Sequence, residues 1–314
     1  MRKVAISAIH ELAKRDPRVV FIGSDLGAGV LEAMRVEFPD RFYMEGVSEQ
    51  AIIGIAAGMA MDGFVPYVNT IATFLTRRCF EQLAVDLCMH NLPVRLIASG
   101  GGAVYAPLGP THMAFDDFAL LRTLPGMTIV APCDAPEMAR AMDASLDVAG
   151  PLYVRIAKGG DPVISRPELP FAIGQAIVLE APGEVLFVGT GVMTTRALEA
   201  RELLLRRGIR TGVVHAHTVA PLDIDTIVAA ARDAALIVTV EEHFRTGGLG
   251  SAVLEGVSDR GLATPVVRCG FAPAYCYAFG SQEHVLASAG LDPQGLAATV
   301  EAALAGQPFA PAGA

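Results

Sequence analysis

The segment from Met44 to Ala60 places a carboxylate, Glu49, between a glycine turn at Gly46 and a run of alanine, isoleucine and glycine that carries no charge. A helix starting there sets Glu49 against the positive end of its macrodipole, while the apolar run behind it predicts burial. Buried carboxylates hold or pass protons in ways that exposed ones do not, so Glu49 is the first candidate for chemistry. Taken alone, it also fits a capping glutamate worth roughly a few tenths of a kcal/mol. Phe74, five residues after Asn69, and His112, after a Gly-Pro-Thr turn, are the next side chains to weigh. In isolation they read as a core aromatic and a solvated loop histidine.

The elements that must position these groups alternate along the whole chain. Short apolar runs beginning at Arg18, Val65, Val94 and Thr128 read as buried strands, and 48–62, 73–91 and 135–148 read as helices. Such alternation predicts an α/β fold with a mainly parallel sheet covered on both faces, a three-layer arrangement. Glycines and prolines from Lys158 to Pro170 interrupt the rhythm and mark a linker. Beyond it the pattern restarts, with strands at Glu184, Thr211 and Ala235, helices near 194–207 and 223–233, and a helix opened by Gly247-Gly-Leu-Gly. The second block therefore reads as a second, smaller and independent α/β domain, giving 1–160 and 175–314. The glycines of Val188-Gly-Thr-Gly could bind an anion but also simply permit tight turns. A full GxGxxG fingerprint with its acidic partner is absent, which disfavours a nicotinamide-cofactor domain, and no Walker loop occurs.

Composition narrows the class of function. At 314 residues the chain is long enough for about two domains of ~150 residues. With 52% hydrophobic and only 18% charged residues, part of its apolar surface is expected to meet another subunit. A net charge of −9 without a basic run argues against a nucleic-acid groove. Neither a signal peptide nor an apolar run of about 18 residues is evident, so a membrane span is not expected. Cys79, Cys88, Cys133, Cys269 and Cys276 are odd in number and lack CxxC spacing, which favours reduced structural thiols in a cytoplasm.

Three motifs in the first half, taken together, resemble the pyrimidine-binding domain of the transketolase family of thiamine diphosphate enzymes. They are Gly46-Val-Ser-Glu-Gln50, the run from Asn69 to Gln82, and Leu108-Gly-Pro-Thr-His-Met113 with the stretch from Leu121 to Asp134. In the second half, Thr239-Val-Glu-Glu-His243 and the later Gly-Gly-Leu-Gly are similar to the family's C-terminal domain, so the resemblance covers nearly the whole chain. It implies that Glu49 bonds the aminopyrimidine nitrogen remote from the amine, which sets the tautomer that activates the cofactor. It places Phe74 as the aromatic stacking on the pyrimidine, Arg78 on the same motif as a further cofactor-binding residue, and His112 as a proton carrier in the substrate channel. Asp25 falls at a family position near the cofactor and the subunit interface, where a loop or helix cap is the plain alternative. Arg2 and Arg155 match positions that hold a sugar phosphate, a task suited to the guanidinium fork.

The departures from that pattern are equally specific. Leu108 replaces an aspartate that bonds a donor hydroxyl, Gly100 stands where a channel histidine is expected, and Gly29 where a serine is. A less polar or bulkier substrate follows as an expectation. No Gly-Asp-Gly segment occurs, and that segment is where the family holds the diphosphate through Mg2+. The resemblance thus implies the C-terminal subunit of a split enzyme, in an α2β2 assembly whose N-terminal partner carries the diphosphate and Mg2+ site. Its reaction would be transfer of a two-carbon ketol or acyl-anion unit from a ketose or 2-oxo acid to an aldehyde. Two alternatives stay open: the beta subunit of a 2-oxo acid dehydrogenase or a deoxyxylulose-phosphate synthase-like acyloin enzyme, and a catalytically silent scaffold subunit.

Overall fold

A computed structural model describes residues 1–24 and 29–307. Asp25 lies outside the described residues. Twelve strands form two sheets among the described residues. The first contains β1 (Val19–Gly23), β2 (Phe42–Met44), β3 (Val65–Ile71), β4 (Arg95–Ser99), β5 (Thr128–Val130) and β6 (Leu152–Ile156). The second contains β7 (Ile177–Glu180), β8 (Val185–Gly189), β9 (Thr211–His215), β11 (Leu236–Phe244) and β12 (Val266–Phe271), while β10 (Thr218–Ala220) crosses to the first. Their orders are β10-β5-β6-β4-β3-β1-β2 and β12-β11-β8-β9-β7. All pairings are parallel except β10 with β5 and β7 with β9.

Side-chain alternation explains the three layers. Along β1, Phe21 enters one core and Ile22 the opposite one, and along β8 Phe187 and Leu186 divide in the same way. Strands covered on both faces need continuous apolar sequence, which is why β1, β4, β6, β8 and β9 are buried at every residue. The two mainly parallel α/β units expected from the sequence are therefore present.

Two features depart from the sequence reading. The single helix expected over 73–91 is broken into Ala72–Thr76, Phe80–Gln82 and a widened turn at Leu83–Cys88. Side chains compete with the helical ladder there: Thr76 Oγ1 donates to Ala72 O, and Cys79 Sγ to Phe74 O. The second departure is β10, which no pattern in the sequence separates from the second block. It extends the first sheet, and Ala131 N donates to His217 O beside it. The second half is thus not a closed unit.

The glycine motifs prove to be internal fittings. A Cβ at Gly248 would lie 2.0 Å from Glu241 Oε2, and the Glu241 carboxylate accepts from Leu249 N and Gly250 N at the start of Leu249–Asp259. A protein carboxylate thus already occupies the anion position of that helix. At Val188-Gly-Thr-Gly, Gly189 packs against Thr194 of the helix that follows. The described cysteines are all unpaired, and burial pushes the thiols of Cys79 and Cys269 up to about 12 and that of Cys88 to about 11, as expected of structural residues. No helix among the described residues is long and apolar enough to cross a membrane.

Candidate active site

Glu49 is the first residue of the helix Glu49–Met61, one turn beyond the end of β2. Gly46 takes φ +71° to turn the chain, and Ser48 Oγ donates to Glu45 O to hold the corner. Ile52, Ile53, Ala56, Ala57 and Ala60 bury the inner face of this helix in the first core. Each isoleucine contributes roughly 1.5–3 kcal/mol by burial, enough to fix the helix start that carries the carboxylate. Glu49 is 4% exposed, as its sequence setting predicts, and its Oε2 accepts a 3.0 Å hydrogen bond from Arg78 Nη1.

The helix break brings the other groups in. The Arg78 guanidinium carbon lies 3.7 Å from the centre of the Phe74 ring, and that ring meets His112 edge-on with centroids 5.2 Å apart. Glu49, Arg78, Phe74 and His112 therefore form one continuous cluster, and Glu49, Gln50 and Arg78 line a cleft of about 390 Å³. His112 is held by its loop: its amide donates to Gly109 O, Gly109 takes φ +80°, and Nδ1 lies 2.9 Å from Thr111 Oγ1.

Arg77, which the sequence reading passed over, locks that loop. Its guanidinium makes a two-armed ion pair with Asp116 and donates to Met113 O. Its position beside Arg78 on the same motif was the available signal.

Leu108 is 54% exposed on the loop leading to His112, and the Phe279 ring packs over the neighbouring Gly109. Gly100 is buried with φ +81°, and a Cβ there would sit 2.0 Å from the Tyr105 ring, so Tyr105 fills the space that a larger residue would take. Arg2 opens the first helix, Arg2–Arg15, and no hydrogen bond or ion pair engages its side chain among the described residues.

Arg155 does not sit as a phosphate receptor would. It is 8% exposed, its Nε lies 3.0 Å from Asp117 Oδ2, and its Nη2 donates to Ala114 O and Glu242 O. Its guanidinium also covers the Phe118 ring at 4.3 Å. Together with Tyr153, Glu241, Glu242 and His243 it forms a buried polar seam between the two sheets. Burial raises the carboxyls of Asp117 and Glu242, and raises that of Glu241 to about 7.

A second buried group joins the halves beside β10. His215 Nε2 lies 2.8 Å from Glu137 Oε2, Thr194 Oγ1 bonds its Nδ1, and ligand atoms of Cys133, Glu137 and His215 all lie within 4.8 Å of one another. These are the residues, among those described, that could share a metal ion. They are not the all-oxygen set that Mg2+ takes.

His217 next to them is driven down to about 4 by burial and by His215, so it stays neutral in the fold. A histidine whose folded value is depressed contributes stability that is intact above about pH 6.5 and is lost as pH falls through about 4. His217→Gln does not titrate, so its stability relative to the parent chain should improve by about 3 kcal/mol between pH 7 and pH 4. Urea midpoints at the two pH values measure this, and a constant difference would show that His217 takes up its proton equally readily in the folded and the unfolded chain.

Comparisons with known proteins identify the family. Residues 1–160 match the model of the transketolase pyrimidine-binding domain, and 174–296 that of the transketolase C-terminal domain. One of the subunits of the apulose-4-phosphate transketolase of Phocaeicola vulgatus is 33% identical over 300 residues, covering 95% of each chain. A 1-deoxy-D-xylulose-5-phosphate synthase of a Synechococcus strain is 37% identical over 305 residues, 96% of this chain and 47% of that protein. The chain thus spans about half the length of the synthases that it matches. Among solved structures, a split gene transketolase described as an inactive beta4 tetramer superposes with a TM-score of 0.86 at 33% identity over 97% of both chains. The Pichia stipitis transketolase, at 17% identity and a TM-score of 0.80 over 99% of this chain and 47% of its own, shares the fold. The chain belongs to the transketolase family and carries its pyrimidine-binding and C-terminal domains.

Proposed function

We propose that this chain is the C-terminal subunit of a split, thiamine diphosphate-dependent transferase, with domains at 1–160 and 175–314. The observation that carries the reading is Glu49: a carboxylate 4% exposed at a helix start, in one cluster with Phe74 and His112. That set fits the pyrimidine end of the cofactor, since it offers a shielded carboxylate for a ring nitrogen and an aromatic face within the same cleft. The cofactor supplies carbanion chemistry when bound. Glu49 holds the proton at its pyrimidine nitrogen, Phe74 orients the ring, and His112 exchanges a proton with the substrate oxygen. Of Arg2 and Arg155, Arg2 is the one whose side chain is not engaged among the described residues, and it is assigned to a substrate phosphate. Asp25 is assigned to the cofactor edge by its sequence position.

The diphosphate and Mg2+ belong, on this reading, to a partner subunit in a cytoplasmic α2β2 assembly, because the described ligating residues are the wrong kind for that ion. The reaction is transfer of a two-carbon unit from a ketose or 2-oxo acid to an aldehyde. Of these donors the transketolase version takes the ketose, whereas similarity to the 1-deoxy-D-xylulose-5-phosphate synthases favours the acyloin version, in which the 2-oxo acid donates and loses CO2.

Mixing the chain with a companion that carries the diphosphate site, thiamine diphosphate and Mg2+ separates the two. Ketose-dependent transfer without CO2 supports the transketolase version, and CO2 release from pyruvate supports the acyloin version. A complex that binds no thiamine diphosphate would leave only a scaffold role.

A further inference from the structure

Arg78 makes, on Glu49 and Phe74, the two contacts that a bound aminopyrimidine would make. Its guanidinium is flat, lies 3.7 Å over the Phe74 ring, and donates at 3.0 Å to the shielded carboxylate. An aminopyrimidine offers such a carboxylate a ring nitrogen and offers such a ring the same kind of flat face. Two flat groups cannot share this slot, because a layer at 3.7 Å is already at van der Waals contact with the ring.

The side chain is also free to leave. It is 45% exposed, and among the described residues its guanidinium has no hydrogen-bond acceptor but Glu49. Its backbone is anchored, since Gln50 Nε2 donates to Arg78 O at 2.9 Å, so the arm can swing while the chain stays in place. Neighbouring Arg77 has no such freedom, being tied to Asp116 by both arms.

We infer that Arg78 is a resident occupant of the slot, a latch that a flat heteroaromatic ligand displaces by putting a ring nitrogen on Glu49 and its face on Phe74. The inference rests on the cofactor reading of Glu49. A latch that is closed about nine-tenths of the time weakens the ligand's apparent affinity about tenfold, because only the open fraction binds.

The test uses the full chain and the cofactor's own ring, 4-amino-5-hydroxymethyl-2-methylpyrimidine, followed by ligand-observed NMR titration. Arg78→Ala should bind this probe about tenfold more tightly than the parent. Arg78→Lys should fall between them, since an ammonium pairs with Glu49 but does not stack as a plane. Glu49→Gln should abolish binding with either residue at position 78. If Arg78→Ala binds no better than the parent while Glu49→Gln still weakens both, the latch is refuted and the cofactor reading stands. If no variant binds although each retains its circular dichroism spectrum, the cofactor reading of Glu49 fails and the latch with it.

Discussion

Glu49→Gln in the reconstituted enzyme should lower turnover by about 10²- to 10⁴-fold, the range for removing a positioned proton-transfer group. Glutamine keeps the size and shape of the side chain but cannot exchange the proton that a ring nitrogen needs. Stability should hardly move. The Arg78 partner is 45% exposed and already solvated, so their ion pair is worth under about 1 kcal/mol. Losing the charge of a carboxylate that is 4% exposed also removes a desolvation cost. Activity and urea midpoint are therefore expected to separate. A variant that keeps more than a tenth of the parent turnover would move the proton role to another residue, whereas a large fall in midpoint would mean that the carboxylate serves the fold.

Much of this cluster could be read from the sequence because local rules fix it. The position of Glu49 follows from a glycine turn and an apolar helix, and the parallel sheets follow from uninterrupted apolar strands. Arg155 shows the opposite case. The resemblance implies a phosphate contact there, but what surrounds Arg155 comes from Ala114, Asp117 and Glu242, brought together only by the fold. Gly100 illustrates the same limit: the missing side chain is visible in the sequence, whereas the Tyr105 ring that fills its place is not. The strand at Thr218–Ala220 is short and has no period of its own, so its pairing with β5 is set by tertiary contact alone.

Arg155→Ala should therefore act on stability before it acts on substrate, costing about 3–5 kcal/mol, the usual effect of removing one member of a buried ion pair. Asp117 is fully buried and, among the described residues, keeps only the Tyr153 hydroxyl and the Phe118 amide as close hydrogen-bond donors once the guanidinium is gone. The Ala114 and Glu242 carbonyls lose a donor at the same time.

The pH dependence carries a sign that can be checked. Burial already raises the Asp117 carboxyl and Arg155 holds it down, so the variant's carboxyl moves higher still. A carboxyl whose folded value is raised is best tolerated at low pH, so the deficit of Arg155→Ala should be larger at pH 8 than at pH 5. The double variant Arg155→Met with Asp117→Leu, which removes both charges and keeps apolar volume, should recover much of the loss.

Urea midpoints of the three chains at both pH values decide the matter. A surface phosphate receptor would instead leave every midpoint unchanged and raise KM for a phosphorylated substrate alone. That outcome would return Arg155 to the substrate channel.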